Sequence, residues 1–351
     1  MKIAIHHRPG SFSDRWIEYC KQQGVDYQIV NAYDNDIVEQ VNGCDAFMWH
    51  HHQARFADTM FARQLLYSLE TRGVCCFPNF HTTWHFDDKV GQKYLLEAVG
   101  APLVPSYVFY SKESALDWIE HTTYPKVFKL RGGAGAVNVL LVHNVKEARA
   151  IVNKSFGNGF AQMRFRTLLS EDLRKHREGK MTSGEVVRSI GAYFLKPSDY
   201  HKLSTPERGY VYFQEFIPNN SFDIRVCVVD NKAFALKRVV RKGDFRASGS
   251  GNIIFERAQI DERCVQIAFD INDKLKTQSI AFDFVFDEHN RPQIVEISYG
   301  FATAVYDNCE GWWDHRMNWH AGSHFNFCGW MVDNVIREVN EIQEESYHLA
   351  D

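Results

Sequence analysis

Two carboxylates near the end of the chain have the type and spacing for metal chemistry. The segment Ile280-Ala281-Phe282-Asp283-Phe284-Val285-Phe286 reads as a strand, turns over Asp287 to Asn290, and returns as Gln293-Ile294-Val295-Glu296-Ile297-Ser298. A hairpin centred midway between His289 and Asn290 sets Asp283 opposite Glu296, with Cβ atoms roughly 4.5–5.5 Å apart. Ser298 falls on the same face as Glu296, because side chains repeat every second residue. Like charges so placed repel and both lose hydration, so the pair persists where something positive lies between them. Two carboxylates and a hydroxyl are hard oxygen donors that suit magnesium, which keeps waters and phosphate oxygens in its shell. The pattern also suits a hairpin whose acids face water while Phe282, Phe284 and Phe286 fill the buried side.

A phosphate site has its own candidate upstream. Lys129-Leu130-Arg131-Gly132-Gly133-Ala134-Gly135-Ala136-Val137-Asn138 joins two strand candidates. Glycines let backbone N–H groups turn inward and approach phosphate oxygens closely. The lysine precedes the glycines, so this is not a Walker-type loop, and no helix follows, so it is not a dinucleotide turn. A β-loop-β flap over phosphates is the nucleotide reading; an ordinary glycine-rich hairpin turn is the other.

These residues need elements to hold them. Lys2 to Ile5, Tyr27 to Val30 and Ala46 to Trp49 read as strands and Asp14 to Gln22 as a helix, an alternation that argues a small parallel α/β lobe. The run His50-His51-His52 closes the third strand. Neighbouring residues in extended chain face opposite ways, so the three imidazoles read as a loop edge and not as one metal site. Asp87 to Val99 is predicted helical, with Gly100 as C-cap. Ser106 to Tyr110, Lys126 to Leu130 and Val137 to Val142 follow as strands, and the stretch from about Ser155 to Arg208 reads as a helical insertion. Tyr210 to Phe213, Asp223 to Val229 and Ala233 to Val240 are strands, the last two joined at Asp230-Asn231-Lys232. A helix over Arg263 to Leu275 and the carboxylate hairpin complete an α+β lobe with an antiparallel sheet.

Composition narrows the function classes. At 351 residues the chain is long enough for two or three packed lobes. A net charge of -4 gives no basic footprint for nucleic acid and no polybasic membrane signal. No apolar run approaches the roughly 18–20 residues of a membrane span, and Met1 to His7 turns polar too soon for a signal peptide. The eight cysteines form no CxxC pair, which suits buried, reduced thiols of a cytoplasmic protein. The aromatic tail (Tyr306, Trp312, Trp313, Trp319 and Trp330) suits packing more than stacking on a sugar ring. The basic region Arg164 to Arg174 suits either a carboxylate substrate or a solvated helical face.

Taken in order, Asp88-Lys89, Lys129 with its glycines, Gln214-Glu215-Phe216-Ile217, Asp223-Ile224-Arg225-Val226, Lys237-Arg238, Asp244-Phe245-Arg246, and Asp283 with Glu296 form a series. The series resembles the ATP-grasp superfamily, most closely its glutathione-synthetase and ribosomal-protein glutamate-ligase branch, over about residues 85–300. The resemblance implies two α+β lobes clasping ATP, preceded by a small parallel α/β domain. The domains would be residues 1–85, then 86–209 with the glycine lid and helical insertion, then 210–351 with the metal hairpin and aromatic tail.

The resemblance also implies roles. Lys89 and Lys129 would contact the nucleotide, with Gly132, Gly133 and Gly135 folding over its phosphates as a lid. Gln214, Glu215, Phe216 and Ile217 would read adenine, and Asp223 would accept from the ribose. Arg225, Arg238 and Arg246 would line the transferred phosphate, and Asp283, Glu296 and Ser298 would hold Mg2+. The implied reaction is carboxylate–amine ligation through an acyl-phosphate, releasing ADP and phosphate. Its partners would be a small carboxylate and an amine (amino acid, peptide or sugar acid), and a homodimer is common among similar enzymes. The alternatives are direct phosphotransfer and an ATP-binding regulatory module without turnover. Ser298 stands where the family usually has Asn, Ser248 where Asn is common, and Ser298 to Phe301 lacks the usual proline. These departures imply a divergent subgroup with its own substrate.

Overall fold

A computed structural model describes residues 1–133, 138–161, 181–195, 203–241 and 243–348, together with residues 169, 173 and 176. The predicted region Arg164 to Arg174 lies almost wholly outside the described residues.

The first sheet uses β1 (Lys2–His6), β2 (Asp26–Val30), β3 (Ala46–Trp49) and β4 (Cys75–Phe77), all parallel in the order β2-β1-β3-β4. Its crossovers carry α1 (Phe12–Gln23), α2 (Ile37–Gln40) and α3 (Phe56–Thr71). Ile3, Ala4, Ile5 and all of β3 are buried, as strands covered on both faces must be. Helix α1 begins at Ser11, whose hydroxyl accepts from Ser13 N, and ends at Gly24, which takes φ 67°.

After α4 (Phe80–Thr83) and α5 (Lys89–Ala98) comes a second sheet: β5 (Ser106–Phe109), β6 (Lys126–Lys129), β7 (Leu140–Val142) and β8 (Val211–Glu215). Its order is β5-β8-β6-β7, antiparallel throughout. Helices α6 (Lys112–His121) and α7 (Val145–Ser155) cover it through a core that includes Ile119, Phe128, Val152 and Phe213. A further helix, α8, spans Ser183–Leu195.

Strand β8 hydrogen-bonds to β5 and β6, so a division at 209/210 would cut through the second sheet. Helix α5 packs by Leu96 into the core of the third sheet, although it was expected to belong to the central lobe.

That third sheet has the order β13-β12-β9-β10-β14-β15, with β11 (Ile253–Ile254) beside β10. Its strands are β9 (Phe222–Val229), β10 (Lys232–Val239), β12 (Ser279–Phe286), β13 (Pro292–Ser298), β14 (Gly311–Asp314) and β15 (Trp319–Ala321). Helix α9 (Glu262–Leu275) covers one face, meeting Ile224, Val226, Val228, Phe282 and Phe284. The opposite face presents Cys227, Val229, Phe234, Leu236 and Ala281 to α1 and to the C-terminal helix α10 (Phe327–His348). Period-two alternation therefore puts Asp223, Arg225, Arg238 and Asp283 on this second face, beyond the point where apolar cover stops.

The carboxylate hairpin reaches its register by an unexpected route. Asp283 does pair with Glu296, but Phe284, Val285 and Phe286 pair with Ile294, Gln293 and Pro292, a register centred on His289. A bulge at Val295 supplies the difference. It also lets Ile294 and Ile297 both reach the α9 core, turning Glu296 and Ser298 to the other side.

The aromatic tail packs, as expected. Trp313 is buried, Trp312 stacks on His320 at 4.0 Å and Trp330 on Phe325 at 5.2 Å. Phe234 lies at the centre of the core joining the first and third sheets, with Tyr306, Phe325 and Phe327 rings 5.0–5.2 Å away. Phe234→Ala should lower stability by about 3–5 kcal/mol. Urea unfolding would show a lower midpoint at unchanged slope.

Candidate active site

Between the second and third sheets, under the edge of the first, lies a cleft of about 680 Å³. Lys129, Gln214 and Glu215 enter from the second sheet. Asp223, Arg225, Arg238, Asp283, Glu296 and Ser298 enter from the third. Lys89 comes from the start of α5, Phe216 and Ile217 from the connection after β8, and Arg246 from the loop after β10. Gly133 also lines the cleft, whereas Gly132 lines a neighbouring pocket of about 170 Å³. Gly135 lies outside the described residues.

Charge is arranged as a chain across three strands. Arg225 donates Nε and Nη2 to the two oxygens of Asp283 at 2.6 and 2.7 Å. Arg238 donates to Asp223 at 2.7 and 2.6 Å and meets Asp283 at 2.9 Å. Burial opposes ionisation of Asp283, but Arg225 and then Arg238 outweigh it and hold its carboxyl well below the usual range. Both Asp223 oxygens are engaged by Arg238, so Asp223 positions that guanidinium more directly than it offers an acceptor for ribose. Arg246 pairs with Asp244 at 2.8 Å.

The lysines differ. Lys89 Nζ lies 3.1 Å from Glu296 Oε1 and donates to Gly133 O at 2.8 Å. Burial lowers its pKa, yet Glu296 and Asp87 more than compensate. Lys129 Nζ donates to the neutral amide oxygen of Gln214 at 2.7 Å. Burial pulls its pKa down to about 8, against partial support from Glu296. A buried ammonium held by an amide is prepared for an anion. Gln214 also donates to Ser106 Oγ at 3.0 Å, and Glu215 pairs with Lys126 at 2.7 Å. Those side chains hold the strand, leaving the connection through Phe216 and Ile217 to face the cleft.

The described root of the glycine loop is tied down. Gly133 N donates to Asp87 Oδ1 at 2.8 Å, and Lys89 N donates to Arg131 O at 2.9 Å. Ser298 Oγ donates to Gly300 O at 2.9 Å, which leaves its lone pairs free to accept. Glu296 and Ser298 offer oxygens to a divalent ion that completes its shell with phosphate oxygens and water, and Asp283, both of whose oxygens already meet guanidiniums, would join them by sharing one. Among the described residues no group of three or more His, Cys, Asp or Glu side chains is placed to hold a metal unaided.

The sequence reading did not assign the contribution of the first sheet, whose Arg8, His50, His52 and Gln53 also line the cleft. The three histidines diverge as expected. His50 stacks on Phe12, His51 hydrogen-bonds Thr83, and His52 accepts from Ala54 N. All eight cysteines are free and buried. No described helix is long and apolar enough to cross a membrane.

Residues 198–307, which span β8 to β13 and both hairpin carboxylates, match the RimK-like ATP-grasp domain. A RimK domain protein ATP-grasp from Sphaerobacter thermophilus DSM 20745 is similar over 96% of this chain and 100% of its own, with TM-score 0.56 and 16% identity. The D-alanine–D-alanine ligase from Bacillus anthracis is similar over 97% and 99%, with TM-score 0.51 and 14% identity. The biotin carboxylase domain of the 2-oxoglutarate carboxylase from Hydrogenobacter thermophilus, solved with MgADP, is similar over 95% and 69%, with TM-score 0.57 and 12% identity. No curated protein sequence matches the chain. The fold is that of the ATP-grasp superfamily, with a parallel four-stranded sheet at the N-terminus and antiparallel sheets elsewhere.

Lys129 should hold phosphate only while protonated. Nucleotide affinity, measured by titration calorimetry, should be full below pH about 8 and fall above it. Lys129→Arg should flatten that fall, because a guanidinium does not deprotonate. Between pH about 8 and 10.5 the unfolded chain binds more protons at this lysine than the folded one, so the nucleotide-free protein should gain stability as pH rises. Lys129→Met should remove that gain.

Proposed function

We propose that the protein is an ATP-dependent carboxylate–amine ligase that forms an amide through an acyl-phosphate and releases ADP and phosphate. One observation carries the reading: Lys89, Lys129, Arg225 and Arg238 converge with Asp283 and Glu296 on a single cleft. With Arg8 and Arg246 the cleft has six cations against Glu215, Asp223, Asp244, Asp283 and Glu296, a bias toward an anion such as a polyphosphate. The ATP-grasp fold supports nucleotide use, and the ligase among its structural neighbours supports the reaction class.

Phosphoryl transfer asks a protein mainly for position and charge neutralisation. Lys129 would neutralise the bridging end of the phosphates, and Lys89, already on Gly133 O, would couple them to the glycine loop. Arg225 and Arg238, oriented by Asp283 and Asp223, would face the transferred group with fixed forks. Magnesium, when bound by Asp283, Glu296 and Ser298, would supply further neutralisation of phosphate charge. Water must be kept from the cleft, because it otherwise destroys an acyl-phosphate. A nucleotide-binding module without turnover is the second reading, favoured by Ser298 standing where the family usually has Asn.

A coupled assay of ADP release over paired acids and amines tests both. ADP is expected only when an acid and an amine are both present, and Glu296→Gln should reduce it by about 100-fold or more with the fold intact. Asp283→Asn should also abolish turnover, but it leaves Arg225 without its carboxylate, while Arg238 keeps Asp223, and should cost about 3 kcal/mol in stability. Nucleotide binding with no ADP from any pair would sink the ligase reading and leave the module.

A further inference from the structure

The cleft extends past the phosphate-facing cations to the edge of the first sheet, where its chemistry changes. In the order β2-β1-β3-β4 the chain leaves β1 toward β2 on one side and returns to β3 on the other. The crevice beyond the carboxyl ends of β1 and β3 is therefore the switch point at which parallel α/β sheets take ligands. Arg8 follows β1 and His50 follows β3, and both line the cleft.

His50 has an unusual hydrogen-bond state. Its Nδ1 accepts from Phe12 N at 3.1 Å, which makes Nε2 the protonated nitrogen of a neutral ring. Burial, and then the charge of Arg8, hold its pKa well below the ordinary histidine value, so the ring stays neutral. The ring lies flat on Phe12, with centroids 3.7 Å apart, and cannot turn away without losing that stack. Yet Nε2 is buried with no partner. A buried N–H left unpaired is costly unless a ligand completes it. Beside it Gly300 also lines the cleft, and a Cβ there would stand 3.6 Å from Nε2.

Arg8 completes the pair of donors. Its backbone is tied to Ser13, and no carboxylate meets its guanidinium among the described residues. Arg225, Arg238 and Arg246, by contrast, already face Asp283, Asp223 and Asp244.

We infer that Arg8 and the Nε2–H of His50 form a carboxylate subsite that holds the acid substrate at the switch point of the first sheet, beside Gly300. The inference rests on the ligase reading and names where its acid is held. A carboxylate matches the donors: a planar fork for both oxygens, and a neutral N–H for one of them.

Titration calorimetry with acetate, succinate, glutarate and L-glutamate, with and without a non-hydrolysable ATP analogue, tests it. At least one of these acids is expected to bind saturably while its amide counterpart does not. Arg8→Gln should weaken that binding roughly 10- to 100-fold and His50→Phe roughly tenfold, with nucleotide affinity unchanged. Gly300→Ala, which keeps both donors and sets a Cβ 3.3 Å from the Phe86 ring and 3.6 Å from Nε2, should weaken acid binding and covers the case in which His50→Phe misfolds. In nitrogen-15 imidazole spectra His50 should be the Nε2–H tautomer, and added acid should move its Nε2–H resonance downfield, which a purely structural histidine would not show. Absence of acid-dependent binding, binding indifferent to Arg8→Gln and His50→Phe, or inorganic phosphate binding there as well as the acids would overturn the subsite. Acid binding that needs both residues, without ADP release, would keep the subsite and sink the ligase reading. ADP release undisturbed by both substitutions would do the reverse.

Discussion

The chain of Asp223, Arg238, Asp283 and Arg225, buried except at the half-buried Arg225, sets the terms for the rest of the molecule. Its members occupy β9, β10 and β12, on the strand face that carries Phe234 and Ala281 further along. Apolar residues of similar volume would stabilise such a face at least as well, because desolvating ion pairs offsets their attraction. The alternative of breaking one pair is worse, since it strands a charge in low dielectric. Each strand register is therefore held by its neighbours: Asp283 opposes Arg225, and Asp223 opposes Arg238. One residue of slip would turn the whole set into the α9 core.

That dependence explains how much could be read in advance. The Asp283–Glu296 pairing is read from a hairpin centred between His289 and Asn290, and it holds because the bulge at Val295 offsets a turn centred on His289. The bulge at Val295 was not visible, as nothing in the composition of Gln293 to Ser298 marks which strand carries an extra residue. Strands β1, β3 and β12 were clear because their burial is continuous or strictly alternating. The helices α3, α6 and α10 were passed over, and the short strands β4, β14 and β15 carry too few residues to show a period. The place of β8 was missed for a different reason. Tyr210 to Phe213 reads as a strand, but pairing with β5 across about a hundred residues is a tertiary fact. His50 was legible as a loop edge, whereas its tautomer depends on Phe12 N, 38 positions away.

Charge balance separates two kinds of cation in the cleft. Arg225, Arg238 and Lys89 have acidic partners and are held in place whether or not a ligand arrives. Lys129 has an amide instead, and its ammonium is destabilised by burial. Residues of the first kind define geometry; a residue of the second kind supplies differential affinity, since an arriving anion improves its environment. A site built wholly of paired cations would gain little from an anion, and one built wholly of unpaired cations would not fold. The mixture suits a phosphate binder.

The cores also decide where the cleft can open. The first and third sheets share one cluster through α1, α10 and Phe234, reinforced by Tyr299 donating to His51 O at 2.6 Å and Gln278 bridging to Cys76 O and Asn79 N. Separating them would expose that cluster to water, at about 25 cal/mol for each Å² of apolar surface. The second sheet keeps a core of its own with α6 and α7. Its links to the rest include the bridge Leu103 to Ile294, the donation from Gln214 to Val295 O at 3.5 Å, that from Lys89 to Gly133 O, and the root of the glycine loop. Movement along this seam breaks few contacts and leaves both cores intact, so opening costs least there. Were the seam to open, Lys129 would go with the second sheet, while Asp283, Glu296, Arg225 and Arg238 would stay with the first and third. Closure would thus carry the unpaired ammonium onto a ligand already held by the paired ones.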